Sequence, residues 1–500
     1  MPSHFLSKSQ YLRGLQCHKS LWLYKDGKIK PKPPSPSLKV IFDEGTRVGE
    51  IAQDLFPAGK IIQYEGSTFD EKIAETAEYI VSGETTIYEA TFKFDGILVM
   101  VDILKKGTDG WEIYEVKSTS DVRNKNRAAE IKNVFLNDTA IQYYVLKGSG
   151  LDVSKASLVH LNNKYVRSGA LEIDKLFSIV DLTESVVGMQ SEVCEELEKI
   201  RKALSNGEPK IGIGVHCDKP YECDFKIHCW NNIPDYSVFN IAGLYPSKKF
   251  ELYSSGIIKV KDVPVDFSLS DDQKLQVEVE KNGKEVIDTE GVREFLSKLY
   301  YPLYFLDFET FTQAIPEWDG LRPNQKIPFQ YSLHYVEKDG GELFHKEFLA
   351  QEDSDPRENL TKRLVTDIPE GACVLVYNQW FEKSVIEELA NQFSQYSDHL
   401  LDIHGNILDL MIPFQRKHYY TKEMKGRYSI KVVLPALMSD SSYSNIEIND
   451  GMEASNSYKN LPSINDEVEK DKIKEDLKIY CKQDTQSMVD LLVCLKKKVG

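Results

Sequence analysis

The chain has 500 residues, too many for one hydrophobic core, and it is expected to form two or three domains. Hydrophobic residues make up 41% of it and charged residues 28%, which excludes a disordered chain and fits a globular enzyme. The net charge of −16 disfavours indiscriminate binding to nucleic-acid backbone, but local basic grooves can coexist with an acidic total. Because the sequence has neither a membrane-length apolar run nor the apolar core of a signal peptide, we expect a cytoplasmic protein with no membrane partner.

The N-terminal part is predicted to begin with helices and to continue as a strand meander. Residues 6–17 form a predicted helix capped by Ser7 or Ser9, and a second helix is predicted at residues 42–55. Turn signals then separate three apolar runs that are predicted to be strands, at residues 86–94, 97–104 and 111–117.

Charged residues interrupt two of these strands. Asp102 lies on the second, while Glu115 and Lys117 alternate onto one face of the third. The set resembles the PD-(D/E)xK core of RecB-like nucleases, in which two carboxylates bind a divalent metal ion and a lysine polarises water. The resemblance implies a restriction-endonuclease-like domain over residues 1–230, with Gln142 at the family's helical glutamine. That helix matches only in part, so a site that binds nucleic acid without cutting it remains an alternative.

The cysteines suggest a metal centre in the same domain. Three of the eight cluster in the sequence, as Cys217, Cys223 and Cys229. A disulfide framework is not expected in a cytosolic chain, so the triplet indicates a metal site. The cluster resembles that of CRISPR-associated and AddB-like RecB nucleases, which implies a 4Fe-4S cluster with Cys17 as the fourth ligand. The alternatives are Zn²⁺ bound with His216 or His228, and no metal.

Residues 231–298 differ in pattern from both flanks. Small predicted helices lie around glycine turns, at residues 239–244 and 252–257. They resemble helix-hairpin-helix inserts, which bind DNA backbone through amides at helix N-termini. A short helical connector without such a role is the alternative.

The C-terminal part contains four acids in three separate segments. Asp307 and Glu309 follow an apolar strand-like run and project from one face of it. Glu382 opens a helical pattern after another apolar run, and Tyr480 and Asp484 share one face of a long predicted helix. Brought together, these side chains can hold two divalent ions and orient a water for attack on a phosphodiester.

These motifs resemble the DnaQ-like, or DEDDy, 3′–5′ exonucleases, which have an RNase H-like fold. The family's second motif matches Asn378 and Glu382, with Glu replacing the usual Asp, and its third matches Tyr480 and Asp484. The resemblance implies a domain over residues 299–500 in which the acids hold Mg²⁺ or Mn²⁺, Asn378 binds substrate and Tyr480 orients the attacking water.

Further elements are predicted in this domain. A hairpin is expected from residues 329–336 and 343–349, and a helix at residues 356–366. Ser429 and Lys431 follow a glycine and are predicted to contact the substrate phosphate, or else to form a surface loop that leads into core.

The whole layout resembles a bacterial family that fuses a RecB-like domain to a DnaQ-like domain. We therefore expect an α/β protein that acts as a two-metal-ion nuclease, a 3′–5′ DNA exonuclease on a single-stranded end, with a role in DNA repair or defence. Two alternatives belong to other classes: a nucleic-acid-binding scaffold with degenerate sites, and a phosphoesterase that acts on a small nucleotide.

Overall fold

A computed structural model describes residues 5–63, 65–124, 127–438 and 447–500. The chain forms two compact units. Unit 1 contains residues 1–232 and 313–325, and unit 2 contains residues 233–312 and 326–500. Within the described ranges, no helix is long and apolar enough to cross a membrane.

Unit 1 is a mixed sheet with helices. Its strands are β1 Leu6–Ser7, β2 Lys60–Ile61, β3 Thr86–Phe94, β4 Ile97–Lys106, β5 Trp111–Lys117, β6 Arg123–Asn124, β7 Arg127–Ile131, β8 Val153–Leu161 and β9 Phe177–Asp181. Its helices are α1 Lys8–Gln16, α2 His18–Asp26, α3 Pro36–Ala52, α4 Phe69–Ser82, α5 Asn133–Gly148, α6 Ile173–Leu176, α7 Thr183–Gly188, α8 Gln190–Ser205 and α9 Lys226–Cys229.

The main sheet of unit 1 has the order β2-β3-β4-β5-β8-β9, with β1 paired to β4. The β3–β4–β5 meander is antiparallel, whereas β5 and β8 are parallel and joined through α5. Alternate side chains of the strands pack with α1, α5 and α8 into one core, which includes Val99, Ile113 and Ile141.

Unit 2 also combines sheets with helices. Its strands are β10 Val286–Ile287, β11 Leu303–Thr312, β12 Lys326–Val336, β13 Phe344–Leu349, β14 Cys373–Val376, β15 Ile407–Asp409 and β16 Tyr419–Tyr420. Its helices are α10 Pro246–Ser254, α11 Asp271–Asn282, α12 Thr289–Leu296, α13 Arg357–Asp367, α14 Gln379–Gln392, α15 Ser397–Gly405, α16 Ile412–Gln415, α17 Ile430–Leu437, α18 Gly451–Asn460 and α19 Glu467–Val499.

The main sheet of unit 2 has the order β13-β12-β11-β14-β15. Strands β11, β12 and β13 are antiparallel neighbours, and β14 and β15 run parallel to β11. Because side chains alternate along a strand, β11 buries Tyr304 and Leu306 against α13 and α14 and buries Phe305 against α17 and α19. The sheet is thus covered by helices on both faces.

Helix ends follow local capping chemistry. Ser7 caps α1 in a capping box with Gln10, as the sequence predicts, and Asp466 caps α19. Helix α19 carries acids in its first turn and lysines in its last turn, which matches the helix dipole.

The expected α/β class is confirmed, as are most of the predicted elements. Strands β3 and β5 have the predicted bounds, and β12, β13 and α13 lie within a few residues of theirs. The predicted second helix begins earlier, because Ser35 caps it and Pro36 occupies its first turn. The predicted helix at residues 239–244 was wrong, since the structure has a short 3₁₀ turn at Val238–Asn240.

Candidate active site and metal centres

Strand β11 carries the first two acids of the candidate site in unit 2. Asp307 and Glu309 continue the face on which Phe305 is buried, and this face meets helix α19. The register with β12 shifts between Glu309 and Thr310, so the ladder is irregular beside the second carboxylate.

Helix α19 delivers the next group of side chains. Leu477, Cys481, Asp484, Met488 and Leu491 recur at intervals of three and four residues, and all are buried. The apolar members fix this stripe against the sheet, and Asp484 is thereby held on the same buried face. The Cys481 thiol lies 3.7 Å from Asp307 Oδ2.

Glu382 comes from the first turn of α14. Asp409, at the end of β15, accepts hydrogen bonds from the backbone N–H groups of Asn378 (3.0 Å) and Gln379 (3.1 Å) and so caps this helix. Asn378 has a φ of 82°, a left-handed conformation that Asn tolerates better than most residues. The structure therefore gives Asn378 a role in starting the helix that presents Glu382.

The four acids interact electrostatically. Burial raises the pKa of Asp307 well above its ordinary value, and the charge of Asp484 adds to that rise. Burial likewise raises the pKa of Glu309, with Asp307, Asp484 and Glu382 contributing. For Glu382, burial and the charge of Asp307 raise the pKa as well. The structure thus brings together all four acids that the sequence singles out.

This cluster has features of a cation site. Among the described residues, ligand atoms of Asp307, Glu309 and Cys481 all lie within 4.8 Å of one another. Glu382 is 2% exposed, and its buried Oε2 atom has no hydrogen-bond partner in the part of the chain that the structure describes. A buried carboxylate oxygen without a donor is costly, and a divalent cation among these acids would satisfy it.

Two of the predicted site residues, Lys431 and Tyr480, are joined by a hydrogen bond. Lys431 Nζ donates hydrogen bonds to Tyr480 Oη (2.9 Å) and to the backbone carbonyl of Asn449 (2.6 Å). Ser429 is exposed and precedes helix α17. The ammonium group of Lys431 lowers the pKa of Glu309, against the larger effect of burial.

The N-terminal candidates also converge, around Glu115. Its carboxylate accepts hydrogen bonds from Lys117 Nζ, from Lys8 Nζ (2.9 Å) and from Gln142 Nε2 (2.7 Å). Asp138 lies beside it and forms ion pairs with the same two lysines, at 3.0 Å from Lys8 and 2.6 Å from Lys117. The acids of this cluster thus have internal cations as partners.

Asp102 and Glu115 have opposite pKa shifts. Burial raises the pKa of Asp102 to about 8, and the charge of Glu115 adds to this rise. Burial also disfavours ionised Glu115, but Lys117 and Lys8 outweigh it and hold the pKa of Glu115 below its ordinary value. The Asp102 Oδ2 atom accepts a hydrogen bond from the Val116 N–H at 2.6 Å.

The four predicted cysteine ligands line one small cavity in unit 1, together with His216. Cys17 lies between α1 and α2, and the others are Cys217, Cys223 and Cys229. Gln16 Nε2 donates to the backbone carbonyls of His216 and Tyr221, both at 2.8 Å, and so fastens α1 to the cysteine segment. Burial raises the pKa of Cys17, and the neighbouring thiols add to the rise.

Spacing distinguishes this cavity from the acidic cluster. Within the described ranges, no three cysteine sulfurs belong to a set of ligand atoms that all lie within 4.8 Å. In a tetrahedral zinc site with Zn–S bonds of ~2.3 Å, the sulfurs are about 3.8 Å apart. In any three of these four cysteines, at least one pair of sulfurs is therefore farther apart than the sulfurs of a closed zinc tetrahedron.

Two comparisons with known proteins bear on this chain. A family described as a domain of unknown function, DUF2779, matches residues 304–429. That segment contains Asp307, Glu309 and Glu382, whereas Asp484 lies outside it. The uncharacterized protein UU173 of Ureaplasma parvum serovar 3 is 24% identical over 229 residues, which cover 41% of this chain. The alignment spans 33% of that relative.

The raised pKa values predict how stability depends on pH. Glu309 binds its proton more tightly in the folded protein than in the unfolded chain, so its stabilising contribution is present below the ordinary value of 4.5. That contribution is lost as the pH rises through the folded-state pKa. With a metal chelator present, we expect Glu309→Gln to raise the unfolding temperature by several degrees at about pH 8 and to change it little at about pH 5.

Thermal unfolding at the two pH values measures this effect. Glu387→Gln is the matched control, because Glu387 is exposed on α14 and its loss should change neither temperature. An equal shift for Glu309→Gln at both pH values would contradict repulsion within the cluster.

Proposed function

We propose that this protein is a metal-dependent nuclease whose hydrolytic centre is the acidic cluster of unit 2, acting as a 3′–5′ exonuclease on single-stranded DNA ends. One observation carries the proposal: Asp307, Glu309, Glu382 and Asp484, from three distant segments, meet in one buried and electrostatically coupled group. Such a group is expensive to bury and is explained by bound divalent cations.

The topology of unit 2 supports the same proposal. Its order β13-β12-β11-β14-β15, with β14 and β15 parallel to β11, supports an RNase H-like fold. Asp307 and Glu309 lie within β11, and Glu382 lies in the first turn of the helix that follows β14. The mixed sheet of unit 1, with Asp102, Glu115 and Lys117 on adjacent strands, supports a restriction-endonuclease-like fold for that unit.

The residues of the cluster have separable roles. Bound Mg²⁺ or Mn²⁺ would supply Lewis acidity and a more acidic water. Asp307 and Glu309 would hold the cations from the strand, with Asp484 and Glu382 closing the set from two helices. Lys431 holds the Tyr480 phenol by donating to its oxygen, so the phenolic hydrogen can point toward the attacking water.

The cluster in unit 1 is proposed as a second nuclease site or a DNA-binding site. Lys8 and Lys117 already supply cationic partners to Glu115 and Asp138. A metal ion would have to displace at least one of these ammonium groups, because both already pair with the carboxylates. This favours the nucleic-acid-binding role over cleavage in unit 1.

The cysteine cavity is proposed to hold a 4Fe-4S cluster. The four cysteines line it, no three of these described sulfurs are mutually as close as in a closed zinc site, and Gln16 of α1 bonds the cysteine segment. Cys17, Cys217, Cys223 and Cys229 would be the ligands, and the cluster would join the N-terminal helix to a segment some two hundred residues away.

Substitution of Asp307 tests the nuclease proposal. We expect Asp307→Asn to reduce release of labelled mononucleotides from the 3′ end of single-stranded DNA on the order of 10³-fold, because a carboxylate that would hold the cations is lost. Lys117→Ala, in unit 1, should leave that release unchanged. Survival of the activity in Asp307→Asn and its loss in Lys117→Ala would contradict the assignment. Hydrolysis of free dinucleotides alone would instead support a small-nucleotide phosphoesterase.

Glu382 provides a finer test, because it replaces the family's usual aspartate. If its carboxylate is a ligand, Glu382→Asp should retain part of the exonuclease rate and Glu382→Gln should lose about as much as Asp307→Asn. Metal-dependent rates of the two variants under identical conditions make the comparison. Wild-type rates in both would remove Glu382 from the site.

The cluster proposal predicts a coloured protein. Protein purified without oxygen should be brown, and Cys223→Ser should bleach its visible absorbance and destabilise unit 1 more than unit 2. Visible spectroscopy and iron analysis measure this, with Cys194→Ser as control because Cys194 is exposed on α8. A colourless protein with stoichiometric zinc would contradict the proposal.

A further inference from the structure

Unit 2 contains a second pocket, which the acidic cluster does not use. It has a volume of about 610 Å³. Its walls come from the start of α10, from the start of α11 and from the loop that follows α16. Pockets that bind small molecules usually have volumes of about 300–1,000 Å³, a range that includes a nucleotide-sized ligand.

Lys417 is the unusual residue of this pocket. Lys417 lines the wall of the pocket and is only 7% exposed. Its φ is +53°, a strained backbone conformation for a residue with a side chain. Among the described residues, its Nζ has no hydrogen-bond acceptor and no ion pair. The Nζ atom lies over the Tyr420 ring, at 5.8 Å from the ring centroid. Burial lowers the pKa of Lys417, as expected for an ammonium without a close counter-charge.

The start of α10 adds further positive potential. This helix has nine residues, and no side chain caps its N-terminus, whose flanking residue Tyr245 lines the pocket. Lys248, in the first turn, lines the pocket too and donates to the backbone carbonyl of Ser268 at 2.9 Å. Asp272 opposes these charges from another wall and favours the charged form of Lys417. Two lysines and an uncapped helix N-terminus against one carboxylate leave an anion-attracting pocket.

Aromatic side chains lie at the same pocket. Tyr245 is 74% exposed and Tyr428 is 37% exposed, so both rings offer surface to a ligand. Tyr428 is also close to the acidic cluster along the chain. Lys431, which donates a hydrogen bond to Tyr480, lies three positions further along the chain, and three such steps span at most about 11 Å. A bound strand of a few nucleotides could therefore extend from one site to the other.

We propose that this pocket binds a nucleotide of the DNA strand whose 3′ end lies in the acidic cluster. The Lys417 ammonium and the start of α10 hold the phosphodiester group, and Tyr245 stacks on the base. The inference rests on the proposed nuclease function for the identity of the strand. A free mononucleotide offers the same phosphate chemistry as the strand, and competition by thymidine monophosphate distinguishes the two ligands.

Binding to the full chain tests the proposal. The probe is a fluorescently labelled single-stranded DNA of about twelve nucleotides, with a chelator present so that hydrolysis does not intervene. We expect Lys417→Met to raise the Kd about tenfold, because a buried charge-assisted contact is lost. Lys425→Met is the matched control: Lys425 also has a positive φ, of 49°, but it is exposed and does not line the pocket. Its Kd should stay within about twofold of wild type.

Tyr245→Ala keeps the test decisive if Lys417→Met fails to fold. Tyr245 is largely exposed, so its truncation should leave the unfolding temperature unchanged while raising the Kd about tenfold through lost stacking. Equal Kd values for wild type and Tyr245→Ala, or for Lys417→Met and Lys425→Met, would overturn the proposal. The proposal would also be overturned if Lys417→Met weakened competition by thymidine monophosphate but left the Kd of the oligonucleotide unchanged. That result would indicate a site for a free nucleotide.

The outcome is independent of hydrolysis. Wild-type protein that binds the oligonucleotide through Lys417 and Tyr245 but never cleaves it would contradict the nuclease function alone. A protein that cleaves from the 3′ end with equal KM in wild type and Tyr245→Ala would contradict the pocket alone.

Discussion

Repulsion among buried carboxylates is the constraint on which unit 2 depends. Like charges about 4 Å apart repel by about 4 kcal/mol at an effective dielectric constant of 20, so a group that includes Asp307, Glu309 and Asp484 opposes its own burial. The surrounding core supplies the opposing free energy. Phe305 on one side of the acids and Met488 and Leu491 on α19 are nearly or fully buried, and their packing leaves the strand and the helix little freedom to separate.

In unit 1, repulsion between buried carboxylates is offset by lysines. Glu115 and Asp138 lie as deep as the acids of unit 2, but Lys8 and Lys117 bridge them within the protein. In unit 1 lysines compensate the acids without a ligand, whereas bound protons or cations would relieve the mutual repulsion of the acids in unit 2. The two units therefore differ in how strongly a divalent ion should bind, although both present acids from a central sheet.

The sequence predicted the elements whose signals are local. Alternation of apolar residues located β3, β5 and β11, and the spacing of Tyr480 and Asp484 placed both on one helix. The convergence of Glu382 with the strand acids could be expected only from the resemblance to DnaQ-like exonucleases, since nothing local to Glu382 encodes its neighbours.

Other residues of the sites carry no such signal. Lys8 lies in an ordinary capped helix, and only the tertiary fold places it against Glu115. The hydrogen bonds of Asp409 to the start of α14 require the parallel pairing of β14 with β15. The approach of Cys481 to Asp307 follows from the packing of α19 on the sheet. Lys417 follows a short helix in a turn, where pattern gives no expectation of burial.

The assignment of residues 313–325 to unit 1 has a practical consequence for dissecting the chain. Ala314 and Ile315 belong to a buried cluster with Val48, Leu161 and Leu176, yet they are encoded between β11 and β12 of unit 2. An N-terminal fragment that ends near residue 230 would have a cavity in its core where Ala314 and Ile315 normally pack. The converse fragment would carry the same residues with nothing to bury them. The boundary between the units is thus a matter of three-dimensional packing, and no single cleavage point in the polypeptide reproduces it.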